Sequence, residues 1–246
     1  MEKLDVDSST QKDDASFERW KACADRISLE VDQSATDLTA KIERPQNMRQ
    51  LLEHLKRAGE QNWLMRPSFY NEAVLLKFFN GSKVIWNKPD SYRIHNTQYV
   101  VASIASEALP KMLIEVENNC SVYGHKADSG PANEAVTSNG FINLELGSTS
   151  GLGLEDVRDV FGQGDVRSID RGISPHGVTY TPTYRGSVRY ASTHRGRTDT
   201  SQIETVFYLG EDLPPGYGAD PSAEIVDDRV TRISMHDMQE RAVRNP

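Results

Sequence analysis

The sequence predicts an α+β protein, with a helix-rich N-terminal half followed by a strand-rich C-terminal half. Two observations carry that expectation. Through Asn118, apolar residues recur mainly at three- and four-residue spacing, the period of one helix face. After Asn119, Gly, Ser, Thr and Val rise, and short apolar runs are separated by turn residues. The chain has 246 residues, 37% of them hydrophobic, which is enough to bury a sizeable core.

Residues 1–15 are acidic and rich in Ser and Asp, and read as a disordered leader lacking the basic start and apolar stretch of a secretory signal. Ser16 is placed to cap a helix carrying Trp20, Ala24, Ile27 and Val31 on one face. Gln33–Thr39 is polar and predicts a loop. Asn47 marks a second helix, with Met48, Leu51, Leu52 and Leu55 on one side and Gly59 as its stop. The apolar segment Asn71–Phe79 fits a helix, or one arm of a hairpin turning at Asn80-Gly81 into Lys83–Trp86. Thr97–Leu109, apolar and Ala-rich, predicts a helix, and Pro110 opens another to Asn118. Beyond the boundary, Ser121–Tyr123, Gly177–Tyr180, Glu204–Leu209 and Arg229–Met235 read as strands, and Gly130–Ser138 as helical. Gly147–Gly153 lacks the strand and lysine of a phosphate-binding loop and reads as a flexible connection. The domain expectation is therefore a helix-rich region at 16–118, a second region at 119–238 and a tail at 239–246.

Several function classes are disfavoured by composition. A net charge of −8 argues against a general nucleic-acid binder, and no apolar run reaches the length of a membrane span. Two cysteines cannot build a disulfide framework; Cys23 on an apolar helix face reads as a reduced, packed thiol, and it bridges to Cys120 only if the fold brings the two together. Six scattered histidines without close Cys partners predict no metal site. An intracellular, cytoplasmic protein is expected, with delivery into another cell as an effector a further possibility.

The residues that carry chemistry cluster late in the chain. Gly177-Val178-Thr179-Tyr180-Thr181-Pro182 leads to Ser187-Val188-Arg189-Tyr190-Ala191, with Arg185 between. Aromatic rings beside guanidinium groups suit a flat ring and a phosphate. Upstream, Tyr123-Gly124-His125-Lys126 ends a strand-like run, and Gly140-Phe141 follows. Downstream, Thr205–Leu209 precedes Glu224. In this order the segments resemble the diphtheria-toxin-like, His-Tyr-Glu branch of the ADP-ribosyltransferase fold, which includes the poly(ADP-ribose) polymerases. The resemblance covers roughly residues 119–236 and departs from the pattern in two places. Gly124 precedes the histidine instead of following it, and Tyr180 lies one place late, where Thr179 holds the usual position.

That resemblance implies a split β-sandwich in the second half and an NAD-dependent mono-ADP-ribosyltransferase that modifies a protein target and releases nicotinamide, with NAD as substrate and no metal. His125, Tyr180 and Glu224 would be the catalytic set, with Glu204 and Glu211 as alternatives to Glu224. Tyr190, Gly124, Lys126, Thr179, Arg185 and Arg189 would contact NAD. The carboxylate would stabilise the oxocarbenium ion that develops on the ribose. Two rival readings are a non-catalytic binding module on the same fold and a structural or assembly protein.

Overall fold

The computed structural model describes residues 14–27, 35–87, 97–106, 112–125, 133–146, 150–168, 186–195, 199–210 and 229–243. Its helices are α1 (Asp14–Ile27), α2 (Ala35–Lys41), α3 (Met48–Glu60), α4 (Glu72–Phe78) and α5 (Leu154–Phe161), with short 3-10 segments at Trp63–Met65 and Pro67–Tyr70. The strands are β1 (Gly81–Asn87), β2 (Thr97–Ser106), β3 (Met112–His125), β4 (Asn133–Leu146), β5 (Asp165–Ser168), β6 (Gly186–Arg195), β7 (Asp199–Leu209) and β8 (Val230–Val243).

The strands form one eight-stranded sheet in the order β1-β2-β3-β4-β8-β7-β6-β5, with antiparallel neighbours throughout. This corrects the expected fold class. Among the described residues there is no helical first half and no split β-sandwich in the second, because strands begin at Gly81 and a single sheet joins the two halves. The boundary expected at 118–119 falls inside β3.

Three segments expected to be helical are strands, and period-two burial explains each. In β2, Val100, Ala102 and Ile104 are buried while Val101 and Ser103 are less so. In β3, Ile114, Val116, Asn118 and Cys120 turn inward, with Glu115 exposed and Glu117 half-buried between them. In β4, Val136, Ser138, Gly140, Ile142 and Leu144 do the same. An alternating pattern of this kind buries one sheet face, whereas a helix would spread those side chains all round its axis.

The helices cover the inward face. In α3 the Asn47 side chain accepts a hydrogen bond from the Gln50 backbone N–H at 3.0 Å, while Leu51, Leu52 and Leu55 are fully buried. α4 is capped in the same way by Asn71, so the segment left open between helix and hairpin is a helix, and β1 pairs with β2. The stretch expected to be a flexible loop is anchored at its end: Leu152 is buried and its carbonyl accepts from Val230 N–H at 2.8 Å.

α1 is fixed to the sheet covalently. Cys23 and Cys120 form a disulfide with Cα atoms 6.0 Å apart, which corrects the expected free thiol. Beside it lies a buried polar cluster. Trp20 Nε1 donates to Asn118 Oδ1 at 2.7 Å, the Ser138 hydroxyl donates to the same oxygen at 3.2 Å, and Asn118 Nδ2 donates to the Leu64 carbonyl at 2.9 Å. The Tyr70 hydroxyl donates to that carbonyl at 2.9 Å. Gly140 makes room for this contact, since a Cβ there would lie 2.7 Å from Leu64 Cβ and 2.8 Å from its carbonyl oxygen.

Candidate ligand pocket

The strand register sorts the inward face into rows. One row is apolar across the sheet: Ile104, Ile114, Leu144, Ile233, Phe207 and Val188. The next runs Val116, Ile142, Met235, Thr205, Tyr190. The third runs Asn118, Gly140, Asp237, Ile203, Ser192, and the fourth Cys120, Ser138, Gln239, Ser201. Polarity therefore rises steadily along the strands.

Where α3 crosses β6, β7 and β8, the two layers leave a pocket of about 530 Å³. Leu55, Lys56, Gly59 and Glu60 of α3 form one wall, with Asn62 just beyond. The opposite wall is Tyr190, Ala191 and Ser192 of β6, Ser201, Ile203 and Thr205 of β7, and Gln239 of β8. Phe161, the last residue of α5, closes one end. The helix runs close over the sheet here: a Cβ on Gly59 would sit 2.9 Å from the flexible end of Met235 and 3.3 Å from Ile203 Cγ2.

The two ends differ in chemistry. Phe161, Tyr190 and Phe207 pack ring against ring, with centroids 5.0 to 5.8 Å apart. The Tyr190 hydroxyl donates to the Gly162 carbonyl at 2.8 Å, and burial pushes its pKa up. The Lys56 ammonium is held at this end by the Val160 carbonyl at 2.8 Å. The other end carries Gln239, Ser201, Ser192 and Asn62, with exposed Glu60 at the rim.

Behind that polar end lies Asp237. It pairs with Ile203 on β7 and Gly140 on β4, and shares the inward face of β8 with Met235 and Gln239. It is fully buried, and among the described residues neither carboxyl oxygen has a hydrogen-bond partner. Burial pushes its pKa up to about 7.

Of the described residues singled out in the sequence as site candidates, Tyr190 alone lines this pocket. Arg189 faces the opposite side of the sheet, where it ion-pairs with Glu204. Glu204 and Tyr190 consequently lie on opposite faces. On that outer face His236 stacks on Phe141 at 4.4 Å, and burial lowers the His236 pKa. Gly124 and His125 end β3 opposite Glu134 and Asn133. His125 lies nine residues beyond Val116, the β3 residue in the row of Tyr190, and four strands away. At ordinary strand dimensions that is roughly 30 Å along the sheet and roughly 19 Å across it, so the structure does not bring these two residues together. Lys126, Thr179, Tyr180, Arg185, Glu211 and Glu224 lie outside the described residues.

Asp237, Gln239, Ile203, Phe161 and Leu55 did not stand out in the sequence as site residues. For Asp237 the signal was present: the strand phase that carries Ile233 and Met235 continues into Asp237 and Gln239, placing a carboxylate on the apolar side of an amphipathic strand. Among the described residues no group of His, Cys, Asp and Glu is arranged to hold a metal ion, and no described helix is long and apolar enough to cross a membrane. Comparison of the chain with protein-family models, curated proteins and solved structures finds no match.

Proposed function

We propose that the protein is a binding module that holds a small amphipathic molecule between α3 and strands β6 to β8. The observation that supports this reading is the pocket, about 530 Å³ in volume, with aromatic residues at one end and hydrogen-bonding side chains at the other. Ligand sites are typically concave, of about 300–1,000 Å³, and mostly apolar with a few converging polar groups. Here Phe161 and Tyr190 offer ring faces, and Gln239, Ser201 and Asn62 offer donors and acceptors.

A screen of small aromatic compounds against wild-type protein and a Ser201→Trp variant tests it. Ser201 is half-buried on the pocket wall, so an indole there fills the space. Compounds that raise the melting temperature of the wild type and leave the variant unchanged are the expected result. If no compound distinguishes the two proteins, the pocket is not a binding site.

A second reading, NAD-dependent mono-ADP-ribosyl transfer to a protein, is favoured by one observation: Tyr190, a ring-stacking residue in that resemblance, lines the pocket. NAD therefore belongs in the same screen, with nicotinamide release as a separate readout. Release by the wild type would favour transfer, and saturable binding without release would favour the binding module. The Cys23–Cys120 bridge supports an oxidising compartment as the place of action in preference to the cytoplasm.

A further inference from the structure

Within the binding-module reading, we infer that the ligand is a cation: a compact aromatic amine with its ring against Phe161 and Tyr190 and its protonated nitrogen at the Asp237 end.

The inference starts from a missing partner. Buried polar side chains nearly always have hydrogen-bond partners, and a buried carboxyl without one is costly. Asp237 is fully buried and its two oxygens have no partner among the described residues. Its neighbours Asn118 and Ser138, on the same face of the sheet, are satisfied within the fold. Two of the residues that flank Asp237, Ile203 across the ladder and Gln239 along the strand, line the pocket. Asp237 itself lies behind the pocket wall, so a donor from the pocket reaches it by parting Ile203 from Gln239, and supplies what the fold leaves out.

Charge sets the sign of the ligand. Lys56 is the lone basic residue among the described lining residues, and its ammonium is engaged by the Val160 carbonyl at the aromatic end. The polar end has Glu60 at its rim and Asp237 behind it, with no described lysine, arginine or histidine in the lining there. An anionic group at that end would face the Glu60 carboxylate at the rim and the Asp237 carboxyl behind the wall, with no described cation in the lining there. A protonated nitrogen would gain a charge-assisted hydrogen bond, the stronger kind.

Spacing limits the size. Met235 is the β8 residue in the row of Tyr190, and Asp237 lies two residues further along β8, two strands from β6. That offset is roughly 7 Å along the strands and roughly 10 Å across them. A ring stacked on the inner side of Tyr190 with a two-carbon tether bridges most of this distance, as in an arylethylamine.

Isothermal titration of the full chain with tryptamine, tryptophol and indole-3-propionate tests the inference, since the three share a ring and differ in charge. For wild-type protein at about pH 8, where Asp237 is mostly ionised, tryptamine should bind about tenfold tighter than tryptophol, with indole-3-propionate weakest. In Asp237→Asn the amine should lose its advantage while tryptophol binding stays within about twofold. Equal affinities for the three ligands in the wild type would overturn the cation assignment and leave the pocket reading standing. Absence of binding by all three, together with a negative compound screen, would overturn both. An amine preference that survives Asp237→Asn but disappears in Glu60→Gln would move the nitrogen to the rim and overturn the role of Asp237. The three-ligand comparison on wild-type protein holds whether or not the variants fold.

Discussion

Asp237→Asn should leave the protein nearly unchanged in acid and stabilise it in alkali. The wild-type carboxyl ordinarily titrates at 3.8 and is pushed up to about 7 by burial alone. Between those values the unfolded chain releases the proton while the folded chain keeps it. The unfolded state thus binds fewer protons, and wild-type stability falls as pH rises through this window. Above about 7 both states are ionised and the loss levels off. A displacement from 3.8 to about 7 is worth about 4 kcal/mol at 1.36 kcal/mol per pKa unit. Asparagine has nearly the same shape and no charge to bury, so any packing or hydrogen-bond change it brings is a constant offset across pH. His54 and His236, whose pKa values burial lowers, are common to both proteins and drop out of the difference. Tyr70, pushed well above its ordinary value, ionises outside the window. Urea unfolding of both proteins between about pH 4 and pH 8.5 should show the stability of the variant minus that of the wild type rising by about 4 kcal/mol. A difference constant to within about 1 kcal/mol over that range would refute the reasoning, because it would mean that the carboxyl is solvated or paired in solution.

Three further substitutions probe the layers around the pocket. Cys23→Ser or Cys120→Ser opens a bridge spanning 97 residues, and the chain-entropy account predicts a loss of about 4–5 kcal/mol; an unchanged denaturation midpoint with and without reductant would show that the bridge does not form. Gly140→Ala should cost about 1–3 kcal/mol, since the two nearest atoms to the new methyl, Leu64 Cβ and the Leu64 carbonyl oxygen, cannot swing aside; thermal melts check it. Asn118→Ala leaves the buried Trp20 indole N–H without its acceptor and should cost about 1–3 kcal/mol, with a shift in tryptophan emission reporting the local change.

The sequence made the N-cap and the helix face of α3 legible, because Asn47 and the spacing of Leu51, Leu52 and Leu55 are local signals; the helix runs past the expected stop at Gly59 to Glu60. It misled where an apolar run fitted two periods. Thr97–Leu109 is rich in Ala, a good helix former, yet Val100, Ala102 and Ile104 alternate with less buried neighbours and pair with β3. Propensity is a weak prior there, and sheet pairing overrode it. Pro110 reads as a helix opener, but the Glu-Val-Glu pattern that follows is a strand with one wet face. The Cys23–Cys120 bridge was unreadable because it joins residues 97 apart, and their proximity follows from α1 lying across β3. Tyr190 was legible as an aromatic residue in a basic neighbourhood. Asp237 was not, because the strand-like run legible in the sequence ends at Met235, two residues short of it.

That omission matters, because Asp237 is the position where sheet and helical layer fail to match. On the β3 and β4 side of the two polar rows of the inward face, partners are supplied: the Trp20 indole and the Leu64 carbonyl meet Asn118, Cys23 meets Cys120, and within the sheet Ser138 meets Asn118. A fold that answers those residues and, among the described residues, leaves a fully buried carboxyl unanswered carries a local conflict, and conflicts of this kind tend to gather at functional sites. The alternative is that Asp237 is tolerated with no role. Asparagine would then be the better residue above pH 7, raising stability without altering what the pocket binds. If instead the substitution raises stability and removes the preference for amine over alcohol, the carboxyl is retained at the expense of the fold because a ligand needs it.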